Sequence, residues 1–123
     1  MTVIGRDGER ELVGFRWHKP VAMLVNEGTR SGKEILAYGM KSRAYGEVIG
    51  NRTAGAVLAG RAFILSDNSL LLLAVADVLI DGRRLEGEGV APTIEVPMPL
   101  EYSGGQDPQL ERAVELLARA SRS

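Results

Sequence analysis

The chain has no cysteine, which removes disulfides, thiolate metal sites and cysteine nucleophiles in one step. It has a single histidine, His18, so a self-contained Ser/His site has one residue to draw on. No polybasic run or broad basic field is present and the formal net charge is −1, which argues against nucleic acid and against an anionic membrane surface as partners. Long apolar stretches are absent too. The longest, Leu70 to Ala76, is about a third of a membrane span, and the opening residues carry no apolar stretch of the kind a signal peptide needs. A soluble chain, cytoplasmic by default, is the expectation.

What remains is ordinary globular composition, with 45% apolar and 25% charged residues over 123 positions. That length holds one domain with a real core and is short for two. Asp7-Gly8 between two short apolar stretches, 2–5 and 10–15, signals a hairpin. Val21 to Val25 is a continuous apolar run after Pro20 and reads as a strand buried on both faces, as parallel strands are. Ser31 to about Ser42 reads as a helix, Val48-Ile49 as a short strand, and 50–60 as irregular. Ala62 to Leu65 and Leu70 to Ile80 read as strands joined through Ser66 to Ser69, with a further turn at Asp81-Gly82 and a last short strand at 94–96. Asp107 caps a closing helix with Pro108 at its first position, and Leu110, Ala113, Val114, Leu117 and Ala118 form one apolar stripe. This order of strands and helices predicts an α/β or α+β fold, with a sheet left incomplete because its first strands precede any helix that could cover them.

Chemistry concentrates where the apolar strand ends. In Asn26-Glu27-Gly28-Thr29-Arg30-Ser31-Gly32-Lys33-Glu34, a loop leads from the carboxyl end of a strand into a helix N-terminus. Ligands gather at such places and negative charge is favoured there. Ser31 is a candidate nucleophile and the Gly32 amide a candidate oxyanion donor. The competing assignment is structural: Ser-x-x-Glu is a capping box, with Ser31 bonded to the Glu34 amide and Glu34 returning to Ser31. A phosphate-binding P-loop is excluded, because three residues separate Gly28 from Gly32 where four are needed, and Glu34 stands where a hydroxyl should follow the lysine.

Four ordered segments carry a family resemblance. Val25 to Ala37 resembles the nucleophile segment of C-terminal-processing (tail-specific) serine peptidases, in which a strand, a Gly-Thr/Ser-x-Ser turn and a helix beginning near a Glu recur. Val48 to Gly55 resembles the family's Val-Gly-x-x-Thr-x-Gly segment. Asp81 to Pro92 resembles its Asp-Gly-Arg-x-x-x-Gly-x-Gly-Ile/Val-x-Pro signature, with Thr93 in place of the usual Asp. Asp107 to Ala118 resembles the closing helix. The resemblance implies a ClpP/crotonase-like core of β-β-α units, a polypeptide substrate, no metal or organic cofactor, and Ser31 as nucleophile. It also implies substrate or oxyanion contacts from Gly28, Gly32, Thr53 and Gly55.

The departures are informative. Members with a Ser/Lys dyad have Lys directly after Thr-x-Gly, and that position is Ala56. The Arg-Thr-Ala-Gly-Ala version resembles the tricorn-like branch, which pairs Ser with a His from an upstream domain supported by a Glu; Glu86 is the matching position. The family's Asp-Leu-Arg-x-Asn-x-Gly-Gly segment, which supplies part of the oxyanion hole, has no counterpart. His18 is an unsuitable base, because the strand between it and Ser31 separates its own ends by roughly 20 Å. Lys33 points to another helix face and Lys41 lies further along the helix. The resemblance therefore implies that residues 1–123 are one domain, the C-terminal part of a serine endopeptidase catalytic domain nearly inactive alone. The rival readings are a non-catalytic remnant that binds peptides or dimerises through an exposed sheet edge, and another acyl-transfer enzyme on the same fold. The incomplete sheet makes self-association the expected state.

Overall fold

A computed structural model describes residues 2–4, 6–12, 17–98 and 104–121. The first hairpin forms as the sequence predicts: β1 (Thr2–Ile4) pairs antiparallel with β2 (Arg10–Leu12) across Asp7-Gly8. Its expected continuation to residue 15 lies outside the described residues.

The centre of the fold is a three-stranded parallel sheet in the order β3 (Ala22–Val25), β4 (Glu47–Gly50), β9 (Ile94–Glu95). Strand β3 (Ala22–Val25) runs into helix α1 (Gly32–Ser42), which returns the chain to β4 (Glu47–Gly50) in a βαβ crossover. Val48 and Ile49 are wholly buried and point to opposite faces, so both faces of β4 are covered. Ala37 of α1 joins Val25, Val48, Val57, Leu85 and Val90 in the core cluster, with Met23, Ile35, Tyr38 and Met40 packed around it. Strand β3 departs from expectation. Among the described strands it is the edge of the sheet, and Val21 and Leu24, which point to opposite faces, remain 39% and 38% exposed, so the run is only partly covered.

The long apolar segment predicted as one strand, Leu70 to Ile80, is two. Strand β5 (Ala59–Ile64) and β6 (Leu70–Ala76) form an antiparallel ribbon joined through the Ser66–Ser69 turn. The Asp77 carboxylate then accepts the Val78 amide at 3.0 Å and the Arg84 guanidinium at 2.5 Å, which redirects the chain. Strand β7 (Leu79–Ile80) folds back on β8 (Arg83–Arg84), with Asp81 and Gly82 both at positive φ as a type I′ turn requires. Strand β9 (Ile94–Glu95) completes the parallel sheet beside β4.

Helix α2 (Pro108–Ala120) starts as read from sequence. The Asp107 carboxylate accepts the Leu110 amide at 2.9 Å, and Pro108 occupies the first turn. The face it buries is rotated from the predicted stripe. Gln109 and Ala113 are buried while Leu110 and Val114 are exposed, and Leu116, Leu117 and Ala120 border a cleft with Val21 and Tyr45. The rotation follows from a polar contact that a count of apolar residues omits: the Gln109 amide nitrogen donates to the Val96 carbonyl at 2.8 Å and pins the first turn. Ala113→Asp should therefore lower stability by about 3 kcal/mol in urea titration, whereas Val114→Ser should change it by less than about 0.5 kcal/mol. A buried Val114 reverses that order.

Candidate active site

The loop after β3 is braced by its own first residue. The Asn26 side-chain oxygen accepts the Gly28 amide at 2.9 Å, its carbonyl accepts the Thr29 amide at 2.9 Å, and the Asn26 amide donates to the Thr29 hydroxyl at 3.0 Å. Glu27 takes a 2.6 Å hydrogen bond from the Asn51 side chain across the end of β4. This compact turn delivers Ser31 to the start of α1 with its side chain at the surface.

Ser31 has φ 61° and ψ −133°. A non-glycine residue in that region carries roughly 1–3 kcal/mol of backbone strain, and it persists only where the surroundings over-determine it. An ordinary N-cap does not require it, because cap residues sit in the β region. Both reciprocal contacts of the capping box are present. Glu34 returns to the Ser31 amide at 3.1 Å and the Glu34 amide faces the Ser31 side chain, although that amide's hydrogen bond goes to the Ser31 carbonyl at 2.9 Å and none closes fully on the hydroxyl.

The residue that holds this conformation is Glu34. Its side chain is fully buried and its carboxylate accepts four donors: the Thr53 hydroxyl at 2.5 Å, the Gly55 amide at 2.7 Å, the Ala56 amide at 2.8 Å and the Ser31 amide. Burial pushes its pKa up, but the hydrogen bonds from Thr53, Ala56, Gly55 and Ser31 outweigh burial and hold the carboxyl below its ordinary value. Two further bonds zip the same loops together, from the Ala54 amide to the Thr29 carbonyl at 2.9 Å and from the Ser31 amide to the Ala56 carbonyl at 2.8 Å. Residues 53–56 were legible as a motif, but this use of Glu34 was not. Ser-x-x-Glu signals a local cap, and the carboxylate's other donors lie nineteen to twenty-two residues away.

The 85–90 loop closes over the same segment. Thr53 accepts the Val90 amide on its hydroxyl at 2.7 Å and donates its own amide to the Val90 carbonyl at 3.1 Å. The Gly87 amide donates to the Gly55 carbonyl at 2.8 Å. Side chains would obstruct this contact: a Cβ at Gly89 would lie 2.4 Å from the Thr53 carbonyl, and one at Gly55 would lie 2.9 Å from the Gly89 amide. Glu86 sends one carboxylate oxygen to the Val57 amide at 2.5 Å and the Leu58 amide at 3.1 Å.

The six candidate residues thus occupy one neighbourhood in two layers. Thr53 and Gly55 spend their polar groups inside, on Glu34 and on the 87–90 loop, and Gly28 donates its amide to Asn26. Gly32 faces open space, and helix geometry leaves its amide and that of Lys33 without intrahelical acceptors. Glu86 and Ser31 grip opposite ends of one peptide group, the Ala56 carbonyl and the Val57 amide. A Glu86 oxygen and the Ser31 amide nitrogen are therefore no more than about 8 Å apart. Ala56, where a dyad lysine would stand, is the residue hydrogen-bonded to Ser31. His18 lies exposed before the start of β3, at the strand end away from Ser31, and Lys41 donates to the Ala91 carbonyl at 2.8 Å. Among the described residues, no three His, Asp or Glu side chains are grouped so as to hold a metal ion, and no helix is long and apolar enough to cross a membrane.

Two stability measurements follow. The lowered pKa of Glu34 means that the folded state binds its proton less readily than the unfolded chain. Its contribution is complete above the unfolded value of about 4.3 and is lost as pH falls below it. Glu34→Gln should cost at least about 2 kcal/mol at pH 7, because its amide end faces donors, and the fall in stability between about pH 5 and pH 3 should become shallower. Ser31→Gly should instead stabilise by about 1 kcal/mol through relief of the positive φ, with Ser31→Ala nearly neutral, as read by thermal unfolding.

Comparison with known proteins places this geometry. Residues 2–96 match peptidase family S41. The chain is 32% identical to tricorn protease homolog 1 of Streptomyces coelicolor over 105 residues, which is 82% of this chain and 10% of that protein. The crystal structure of the tricorn protease superposes with a TM-score of 0.73 at 28% identity, covering 85% of this chain and 11% of that one. The photosystem II D1 C-terminal processing protease superposes with a TM-score of 0.57 at 30% identity, covering 80% and 24%. The chain therefore spans a tenth to a quarter of these proteins' lengths. With the family matched over more than three quarters of its residues and the fold shared with these proteases, the chain is a member of peptidase family S41.

Proposed function

We propose that this chain is the C-terminal part of the catalytic domain of a serine endopeptidase in which Ser31 is the nucleophile. The observation that carries the reading is the Ser31 backbone. It is strained at positive φ although it belongs to a capping box, its side chain is exposed, and Glu34, itself held by Thr53, Gly55 and Ala56, grips its amide. Stored strain of this kind at a strand-to-helix junction needs a purpose that a helix cap does not supply.

In this reading the Ser31 hydroxyl oxygen attacks the carbonyl carbon of a polypeptide substrate, and the developing oxyanion takes the Gly32 amide. Collapse expels the amine and leaves an acyl-serine, which water then hydrolyses. The proton must pass to a base and on to the leaving amine. Glu86 and Ser31 flank the same Ala56–Val57 peptide group, which puts a carboxylate in the neighbourhood where an imidazole serving Ser31 would need support. The oxygen of Glu86 not taken by Val57 and Leu58 is the one to orient it. No histidine of this chain is in reach, so the base and the second oxyanion donor come from another segment. A non-catalytic peptide-binding reading is favoured by one feature, the outer edge of β3, which pairs with no other strand among the described residues and offers main-chain groups to an added strand.

Added imidazole can stand in for the missing side chain. Intact-mass analysis with a fluorophosphonate should show slow labelling of the chain alone and faster labelling with imidazole. The gain should disappear in Ser31→Ala and shrink several-fold in Glu86→Gln. A labelling rate that imidazole does not raise, or labelling that survives Ser31→Ala, contradicts the assignment.

A further inference from the structure

A cleft of about 400 Å³ opens between the carboxyl-terminal half of α1 and the 83–91 segment. That volume is in the range of small-molecule sites, which combine an apolar lining with a few placed polar groups. Tyr38, Leu85 and Val90 supply the apolar part here, and all three belong to the core cluster or pack against it. Lys41, Arg52 and Arg83 also line the cleft, and no Asp or Glu does.

These cations are held in place and left short of countercharge. The Lys41 ammonium donates to the Ala91 carbonyl at 2.8 Å, and the Arg52 guanidinium donates to the Glu88 carbonyl at 3.1 Å. Both heads are thus tied to the cleft by neutral acceptors, and neither forms an ion pair among the described residues. Arg84, Arg112 and Arg119, by contrast, each rest on a carboxylate. Arg83 meets the Glu88 carboxylate at 3.3 Å, in a pair whose side chains are both more than half exposed. The lining therefore carries three positive charges against one carboxylate beside it. Each bond to a carbonyl uses a single N–H, so the ammonium and the guanidinium keep further donors for a ligand.

We propose that this cleft binds a small organic dianion, a phosphate monoester or a dicarboxylate. Its apolar body lies on Tyr38, Leu85 and Val90, and its charged end meets Lys41 and Arg52. Two negative charges balance the excess of positive charge in the lining. The planar fork of Arg52 suits paired oxygens, and Lys41 adds a compact point charge. A long polyanion fits less well, because the chain has a formal net charge of −1 and no basic field extends beyond the cleft.

Two-dimensional 1H–15N NMR of the 123-residue chain, at about pH 7.5 where a phosphate monoester is doubly charged, reads the site residue by residue. Phenyl phosphate or phthalate should shift the amide signals of Lys41, Ser42 and Ala91 saturably below about 20 mM, and the tighter of the two assigns the class of charged group. Inorganic phosphate, which brings the charge without the apolar body, should bind at least about ten-fold more weakly. Lys41→Gln and Arg52→Gln should each weaken binding by about ten-fold, whereas Lys19→Gln, an exposed cation outside the cleft, should leave it unchanged. Glu88→Gln should tighten binding several-fold by removing the one carboxylate beside the cleft. Absence of saturable shifts with both probes overturns the proposal. So does inorganic phosphate that binds as tightly as either, or binding that survives both Lys41→Gln and Arg52→Gln.

Discussion

The site depends on one buried carboxylate. Glu34 sits in the first turn of α1 with no exposed surface, where an unpaired charge is untenable, and it is stable because four donors converge on it. Those donors come from its own cap and from the Thr53–Ala56 segment, which nothing else anchors so densely. Through Thr53 the same network extends to Val90, and through Gly55 to Gly87. A helix N-terminus, the loop after β4 and the loop before β9 are thereby joined at a single side chain. The helix end contributes as well, because a negative charge in the first turn is favoured by the helix dipole.

This arrangement explains how strain is tolerated at Ser31. The Ser31 amide is shared between the Ala56 carbonyl and the Glu34 carboxylate, and its carbonyl accepts the Glu34 and Ile35 amides. With amide and carbonyl both fixed, the backbone cannot relax to the β-region geometry of a common cap without breaking several bonds. Each such bond contributes about 1 kcal/mol, and those to a carboxylate more, so together they exceed the strain. The side chain faces the Glu34 amide in the capping box but closes no full hydrogen bond there, so it is held less firmly than the backbone beneath it.

Much of this was legible in sequence, for identifiable reasons. The strand-to-helix junction at Ser31 shows in the apolar run from Val21 and in the Gly28-Thr29 break. The Asp107-Pro108 start of α2 and the Asp81-Gly82 turn are local signals and are correct. Errors arose where tertiary contacts overrode local pattern. The apolar count on α2 missed Gln109, whose bond to the Val96 carbonyl rotates the helix. The Leu70–Ile80 run looked like one strand because the Asp77–Arg84 pairing that breaks it lies seven residues apart in sequence. Glu34 was legible as a cap residue and not as the hub it is, since hydrogen bonds across nineteen or more residues leave no periodicity to read.

The core and the surface make different demands on the chain. Val48 and Ile49 of β4 are buried on opposite faces, and the loops that carry Ser31 and Glu86 are cross-braced, so this region is held by contacts within these residues. The outer edge of β3 and the outer face of the β5–β6 ribbon do not, because each presents strand surface that ordinary soluble folds cover. Both lie away from the Glu34 network: β3 reaches it only at its carboxyl end, and the ribbon connects through Val57 and Leu58, which Glu86 holds. Completing the molecule from outside therefore need not disturb the conformation of Ser31. The burial of Glu34 sets the Ser31 backbone in advance, and whatever covers the open surfaces finds that conformation already in place.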